Sequence, residues 1–342
     1  MMMKKYEHRD YLGYWNGVRG AERNPKNYQR RDDGSHIFHN AEEYYEWWYF
    51  DAAFDNGYYM VAVFHYRNAF IKPPIPSVQV TVYKPDGTRI DRIGAYKIDQ
   101  CYGHPDYCNV VMGDNWVKDN GENYELYINI NNVKAHLTFK NSVPPWKLGT
   151  GFNFNQSKSG LVAGWVIPVP GAIVEGEMEI KGESSKLKGT GYHDHNWGNF
   201  SMNKIIWGWY WGRVNHEKYT IVYSWVLPKD KSAPVISPLL IADNNEILLS
   251  TDLMTAELPE MIRDDQFQQE VPRKMVLNAN ENGIKFKLDI STIKIIESTK
   301  LPKITDSDTY YFRSLADYDL MVEIDGIKDQ ARGEFLHETM LL

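Results

Sequence analysis

A chain of 342 residues is longer than one hydrophobic core usually serves, so two domains are expected. With 43% hydrophobic and 24% charged residues it reads as globular, and an aromatic share of 14%, from 11 Trp, 23 Tyr and 13 Phe, favours strands and aromatic-lined pockets. A formal net charge of −7 without any long Lys/Arg run argues against nucleic acid and anionic membranes as partners.

The first stretch, Met1 to Tyr14, carries Lys4, Lys5, Glu7, Arg9 and Asp10 and no apolar core of signal-peptide length. No later run reaches membrane-spanning length, so a cytoplasmic chain with an N-terminal extension over residues 1–35 is expected. Strands are predicted at Tyr44 to Ala53, Tyr58 to Arg67, Val78 to Tyr83, Tyr124 to Ile130 and Val133 to Phe139. Turn chemistry separates them at Asp55-Asn56-Gly57, Lys84-Pro85-Asp86-Gly87, Asp119-Asn120-Gly121 and Asn131-Asn132. The two cysteines, Cys101 and Cys108, with His104 and Asp106 between them, are too few for a disulfide framework and read as free thiols more readily than as metal ligands.

Further strands are predicted at Ala172 to Ile180, Lys186 to His193, Ile205 to Val214, Tyr219 to Leu227, Lys274 to Leu277, Ile284 to Ile296 and Tyr318 to Ile324. Turns fall at Asn215-His216-Glu217, Asp243-Asn244-Asn245 and Asn280-Glu281-Asn282-Gly283. The best short helical candidate, Asp252 to Arg263, is broken by Pro259. Many short strands without interleaved helices make the fold all-β, with sandwiches or barrels favoured over βαβ units. The expected domains span 36–198 and 199–342. No exact internal repeat is present, and the sequence carries no signal of oligomeric state.

Side chains alternate across a strand. Glu46, Trp48 and Phe50 therefore share one face, and Trp47, Tyr49 and Asp51 the other. Trp207, Trp209, Trp211 and Arg213 form one row, which reads either as barrel core or as the wall of an aromatic cavity able to stabilise a cation. The same rule sets Tyr192, Asp194 and Asn196 on one face and His193, His195 and Trp197 on the other. A His-x-His pair on a strand suits a metal-binding cupin barrel, but the carboxylate that pattern needs a few residues later is replaced by Trp197, Gly198, Asn199 and Phe200, so no metal is expected. Asp194, between imidazoles and indoles, is a candidate for proton transfer. The competing reading makes it a turn carboxylate capping backbone amides. Gly149-Thr150-Gly151 lacks the rest of a phosphate loop, and no Gly-x-Ser-x-Gly elbow occurs, which removes kinase and hydrolase readings.

Three segments carry a resemblance: Glu46-Trp47-Trp48-Tyr49-Phe50; Gly164-Trp165-Val166-Ile167-Pro168-Val169-Pro170 leading into Gly176-Glu177-Met178-Glu179-Ile180; and Gly189-Thr190-Gly191-Tyr192-His193-Asp194-His195-Asn196-Trp197-Gly198. In order and spacing they resemble the hydroxyneurosporene synthase family, the carotenoid 1,2-hydratase and AttH-like group, whose relatives include kievitone hydratase and decalin-forming Diels–Alderases. The resemblance spans roughly Tyr44 to Gly212. It implies two tandem lipocalin-like antiparallel β-barrels, an apolar cavity, and neither metal nor organic cofactor. In the family's hydratases a Tyr-x-Asp pair is implicated, with the Asp protonating an isoprenoid double bond; Tyr192 and Asp194 match it. The family's upstream His-x-Trp element reads here as Gly164-Trp165-Val166, which leaves Trp165 an aromatic role.

These readings give an expected site. Asp194, poised by His193 or His195, protonates an alkene, and Tyr192 or Asn196 directs water or an internal nucleophile, giving hydration or cyclisation. Glu46, Trp47, Trp48, Tyr49, Trp165, Asn196, Trp197, Trp207, Trp209 and Trp211 line the substrate, an apolar isoprenoid or polyene. Two other classes stay open: a Diels–Alderase-like pericyclic cyclase that positions a polyene, and a non-catalytic lipocalin-like carrier.

Overall fold

The computed structural model describes residues 25–36, 43–156, 160–229, 235–243, 246–302 and 308–342. The expected Asp243-Asn244-Asn245 turn and the segment Met1 to Tyr14 lie wholly or partly outside them. The chain divides into two compact units, one running from Lys26 to Ser201 and the other holding Met202 to Leu342.

The first unit is built from β1 (Tyr45–Phe54), β2 (Tyr59–Arg67), β3 (Ser77–Tyr83), β4 (Arg89–Ala95), β5 (Cys101–Gly103) and β6 (Asn109–Met112). It continues with β7 (Asn115–Asp119), β8 (Tyr124–Ile130), β9 (Val133–Asn141), β10 (Phe152–Gln156), β11 (Leu161–Ile180) and β12 (Glu183–Gly198). Together they form one antiparallel sheet in the order β4-β3-β2-β1-β12-β11-β9-β8-β7-β6-β5, with β10 paired to β11. Arg92 on β4 donates to the Asn131 carbonyl in the β8–β9 turn at 3.0 Å, so the sheet curls until one end reaches strands near the other. That turn has φ of 45° at Asn131 and 68° at Asn132, the left-handed pair that a two-residue hairpin needs and that Asn tolerates.

The second unit holds β13 (Ile206–Asn215), β14 (Thr220–Pro228), β15 (Leu239–Ala242), β16 (Ile247–Thr251), β17 (Thr255–Arg263), β18 (Glu270–Glu281), β19 (Ile284–Leu301), β20 (Thr309–Ile324) and β21 (Ile327–Leu341). Its sheet runs β16-β15-β14-β13-β21-β20-β19-β18-β17. Among the described residues helix is confined to short 3-10 turns at Arg30–Asp33, Ile98–Gln100 and Met202–Lys204, and no helix is long and apolar enough to cross a membrane.

The chain is therefore all-β, and one sequence expectation is corrected. Asp252 to Arg263 supplies strand β17, with alternating exposure along Thr255–Arg263. Pro259 fits because β17 is an edge strand and the pairing with β18 slips between Glu257 and Glu260, where no ladder N–H is required. The same logic lets Pro168 and Pro170 lie within β11, whose register with β12 shifts between Val166 and Ala172.

One face of the first sheet is a packed core. Trp48, Phe50, Ala52 and Phe54 from β1 meet Met60, Ala62 and Phe64 from β2 and Leu126, Ile128, Leu137 and Phe139 from the far strands. Gly191 belongs to this packing: a Cβ there would lie 2.5 Å from Val174 and 2.6 Å from Phe139. The other face carries the candidate chemistry.

Candidate active site

Strand β12 lies between β1 and β11, and the register sets Tyr49 opposite Asp194, Asp51 opposite Tyr192, and both Trp47 and Trp165 opposite Asn196. Directly opposed residues share a face. The seven side chains therefore gather on one side of three adjacent strands. Asp194 is 6% exposed and Tyr192 fully buried. Asp194 Oδ2 accepts the Tyr192 hydroxyl at 2.9 Å and the Trp165 indole N–H at 3.1 Å, while Oδ1 accepts the Asn196 amide at 2.8 Å. These partners are side chains on β11 and β12, so Asp194 is no turn carboxylate.

Trp165 does more than supply a ring. Its indole N–H holds the carboxyl from β11, at the place where the family's upstream element lies. A second feature is visible only once the register is known: Tyr49-Phe50-Asp51 on β1 repeats Tyr192-His193-Asp194 on β12 in antiparallel sense. Tyr49 donates to Asp51 Oδ2 at 3.2 Å, as Tyr192 does to Asp194, and the two phenol rings meet edge-on at 6.2 Å. The product is an array of two phenols and two carboxyls, all buried but Tyr49, which is half-buried. His65 on β2, opposite Trp47, extends the face by one strand.

His193 and His195 point the other way, and the expectation that one of them poises Asp194 is corrected. His193 Nδ1 meets the Tyr49 carbonyl at 2.9 Å and its Nε2 meets Asp33 Oδ2 at 3.1 Å. His195 Nε2 meets Glu46 Oε1 at 3.1 Å, and its Nδ1 lies 3.4 Å from Asp33 Oδ1. Glu46 also accepts the His36 backbone N–H at 2.5 Å and the Ser35 hydroxyl at 3.2 Å. Two carboxylates and two imidazoles thus tie the segment after the Arg30–Asp33 turn to β1 and β12. Alternation forces the separation: neighbours in sequence on a strand cannot serve the same face.

The charges in this network follow from burial against pairing. Burial alone would raise the Asp33 pKa, but attraction to His193 and hydrogen bonds from both histidines hold it down at about 2. Burial alone would lower His195, yet its contacts with Asp33 and Glu46 raise it above the ordinary value. His36, stacked on Trp197 at 3.9 Å, is pushed down to about 4 by burial and by His195.

Asp33, Cys108 and His193 bring ligating atoms within 4.8 Å of one another, close enough together to surround a metal ion. Asp33 Oδ2 already accepts hydrogens from His193 and from the Tyr124 hydroxyl at 2.8 Å. Burial also keeps the Cys108 thiol protonated, pushing its pKa well up, whereas a metal requires the thiolate. Asp33 is thus the hub of a buried knot that its hydrogen-bond donors already occupy.

The expected lining residues accordingly divide into three groups. Trp47, Tyr49, Trp165 and Asn196 lie with Asp194. Glu46, Trp48 and Trp197 face the core side, where Trp48 stacks on His195 at 4.3 Å and a Cβ on Gly164 would run into the Trp197 ring. Trp207, Trp209 and Trp211 belong to the second unit. There Trp209 donates to Glu338 Oε1 at 3.0 Å, Tyr311 donates to Oε2 at 2.8 Å, and Trp211 lies opposite Glu338, while Trp207 is 48% exposed. Burial raises the Glu338 pKa against the pull of Arg313.

Comparison with known proteins gives this arrangement relatives. A hydroxyneurosporene dehydrogenase of Chlorobaculum tepidum is 36% identical over 86 residues, 23% of this chain and 22% of that protein. A quinolone epoxide rearrangement protein of Emericella nidulans is 36% identical over 61 residues, 18% of this chain and 17% of that protein. The matched stretches thus span under a quarter of either relative's length. Among solved structures, an AttH protein of Nitrosomonas europaea superposes with a TM-score of 0.65 at 16% identity, over 90% of this chain and 95% of that one. Kievitone hydratase of Nectria haematococca gives 0.58 at 16% identity, over 93% and 97%. CghA with Sch210972 gives 0.62 at 12% identity, over 94% and 98%. At these identities the structural likeness is one of fold alone. Residues 40–267 match the family model described as Diels-Alderase-like, about two thirds of the chain, and the protein is a member of that family.

Proposed function

We propose that the protein is an enzyme that adds a proton from Asp194 to a double bond of an apolar isoprenoid or polyene, that the resulting cation is captured by water or by an internal nucleophile, and that the proton this nucleophile sheds returns to the Asp194 carboxylate. The observation that carries this reading is the set of three donors on one carboxyl. As the acid gives up its proton, negative charge develops on Oδ1 and Oδ2, where Asn196, Tyr192 and Trp165 already point. Donors fixed before the reaction stabilise that charge without reorganising. Each such donor contributes about 10²–10³ in rate in comparable sites. The Trp47 and Tyr49 rings, on the same face, shield the cation that forms. Asn196, half-buried beside Asp194, is the group we assign to directing the incoming nucleophile. The mechanism requires no group beyond these side chains. The Arg92–Asn131 contact supports closure of the first sheet into one of two lipocalin-like barrels about the packed core, and the apolar cavity belongs to the opposite face, with Asp194.

A second reading, pericyclic catalysis by positioning alone, is favoured by the family match over residues 40–267. Incubation of the purified protein with lycopene and with farnesol, followed by mass spectrometry, separates the outcomes. A product heavier by one water supports hydration. A product of unchanged mass with a new ring supports cyclisation. Recovery of both compounds unaltered under all conditions contradicts the enzymatic reading and leaves a carrier.

A further inference from the structure

The β2–β1–β12 register lines up His65, Trp47 and Asn196 across three strands on the face that carries Asp194. His65 is 5% exposed, with its ring 6.1 Å from Trp47 and edge-on to Phe70 at 6.3 Å. Its Nδ1 is fully buried and has no hydrogen-bond partner among the described residues. In the network on the opposite face, His193 turns both ring nitrogens to oxygens and the His195 Nδ1, though without a hydrogen bond, lies 3.4 Å from Asp33 Oδ1, whereas His65 Nδ1 faces only aromatic neighbours. A buried polar atom left unpaired opposes folding, so its retention calls for a partner that arrives later. Burial pushes the His65 pKa down to about 3, so the ring is neutral at physiological pH and has no charge with which to hold an anion.

What remains is one hydrogen-bonding point set between two aromatic rings. In small-molecule sites such isolated polar groups in apolar walls fix the orientation of the ligand. A hydrocarbon offers this nitrogen nothing, whereas a hydroxyl satisfies it in either tautomer, as donor or as acceptor. We infer that His65 recognises an oxygen of the substrate, and that the site takes an oxygen-bearing unsaturated molecule in preference to a pure hydrocarbon. This rests on the placement of the substrate against the Asp194 face.

Farnesol and farnesene share one carbon skeleton and differ in the hydroxyl, and their binding is read from quenching of tryptophan fluorescence. The wild-type protein is expected to bind farnesol roughly tenfold more tightly, the gain of about one hydrogen bond. His65→Phe is expected to abolish that preference while leaving farnesene affinity within about twofold, and His65→Gln to keep part of it. Retained farnesene binding shows that the variant is folded and its apolar walls intact. Equal wild-type affinities, binding of neither compound, or a farnesol preference that survives in His65→Phe overturns the inference. Binding is independent of turnover. A His65-dependent preference in a protein whose Asp194→Asn variant still turns over would remove the proton-donor reading alone, and Asp194-dependent turnover without a farnesol preference would remove the His65 inference alone.

Discussion

The indole N–H of Trp165 on β11 donates to Asp194 Oδ2 on β12 at 3.1 Å. This contact ties the carboxyl to a neighbouring strand, and its loss is expected to act on catalysis more than on binding. Trp165→Phe keeps the ring and removes the donor. We expect kcat to fall about 10²-fold with KM little changed. Trp165→His, which keeps a ring N–H donor on a smaller ring, is expected to stay within about tenfold of wild type. Steady-state kinetics of the three proteins decide; a rise in KM at constant kcat would make Trp165 a binding surface only.

Adjacent tryptophans on β1 are expected to fail in opposite ways. Trp48 is fully buried in the core face, stacked on His195 and donating its N–H to the Asp33 carbonyl at 3.2 Å. Trp48→Ala should cost about 3–5 kcal/mol of stability in urea unfolding. Trp47 is half-buried on the Asp194 face, so Trp47→Ala should cost under about 1.5 kcal/mol while weakening substrate turnover at least tenfold. Equal stability losses for the two variants would refute the assignment of the faces.

Much of this partition was legible in the residues themselves, because a strand has a period of two and the Tyr192-to-Trp197 segment persists as one. The same rule separated Trp47 from Trp48. Long-range register was not legible, and it is register that sets Trp165 beside Asp194, makes Tyr49-x-Asp51 the mirror of Tyr192-x-Asp194, and adds His65 to their face. Asp33 was missed for a related reason. It reaches His193 across 160 positions from a four-residue 3-10 turn that has no hydrophobic period to mark it. The histidines were read as partners of Asp194 because they flank it in sequence, whereas a strand sends them to the far side. Asp252 to Arg263, the helical candidate, is an edge strand with one face in water, a placement set by its pairing with β18.

Acid should weaken the fold well before its carboxylates are protonated. His36, His65 and His337 are held down at about 4, about 3 and about 4, chiefly by burial, so they are neutral in the folded protein. Below pH about 6.5 the unfolded chain binds protons that the folded one refuses, so stability falls from there down to pH about 4. Asp33 adds its loss only later, as pH drops from about 4 towards its folded value of about 2. His195 has the opposite sign: its raised value contributes stability below about 6.5 that fades as pH rises through that folded value. His36→Phe, which preserves the stack on Trp197, should flatten the decline between pH 6.5 and 4 by about 3 kcal/mol in urea titrations. An unchanged slope would mean that His36 titrates as it does in the unfolded chain.

Since Asp33 Oδ2 already accepts from His193 and Tyr124 and burial keeps the Cys108 thiol protonated, dialysis against a chelator is expected to leave both activity and Tm unchanged. A fall in either that added zinc restores would turn the knot into a metal site.

The central claim is that Asp194 delivers a proton to carbon, and turnover in heavy water tests it most directly. The wild-type protein should place one solvent deuterium on a carbon of the product, and Asp194→Asn, which keeps the size and most hydrogen bonds of the side chain, should lower kcat at least about 10³-fold without loss of Tm. Full turnover by Asp194→Asn, or a product free of carbon-bound deuterium, would contradict the account.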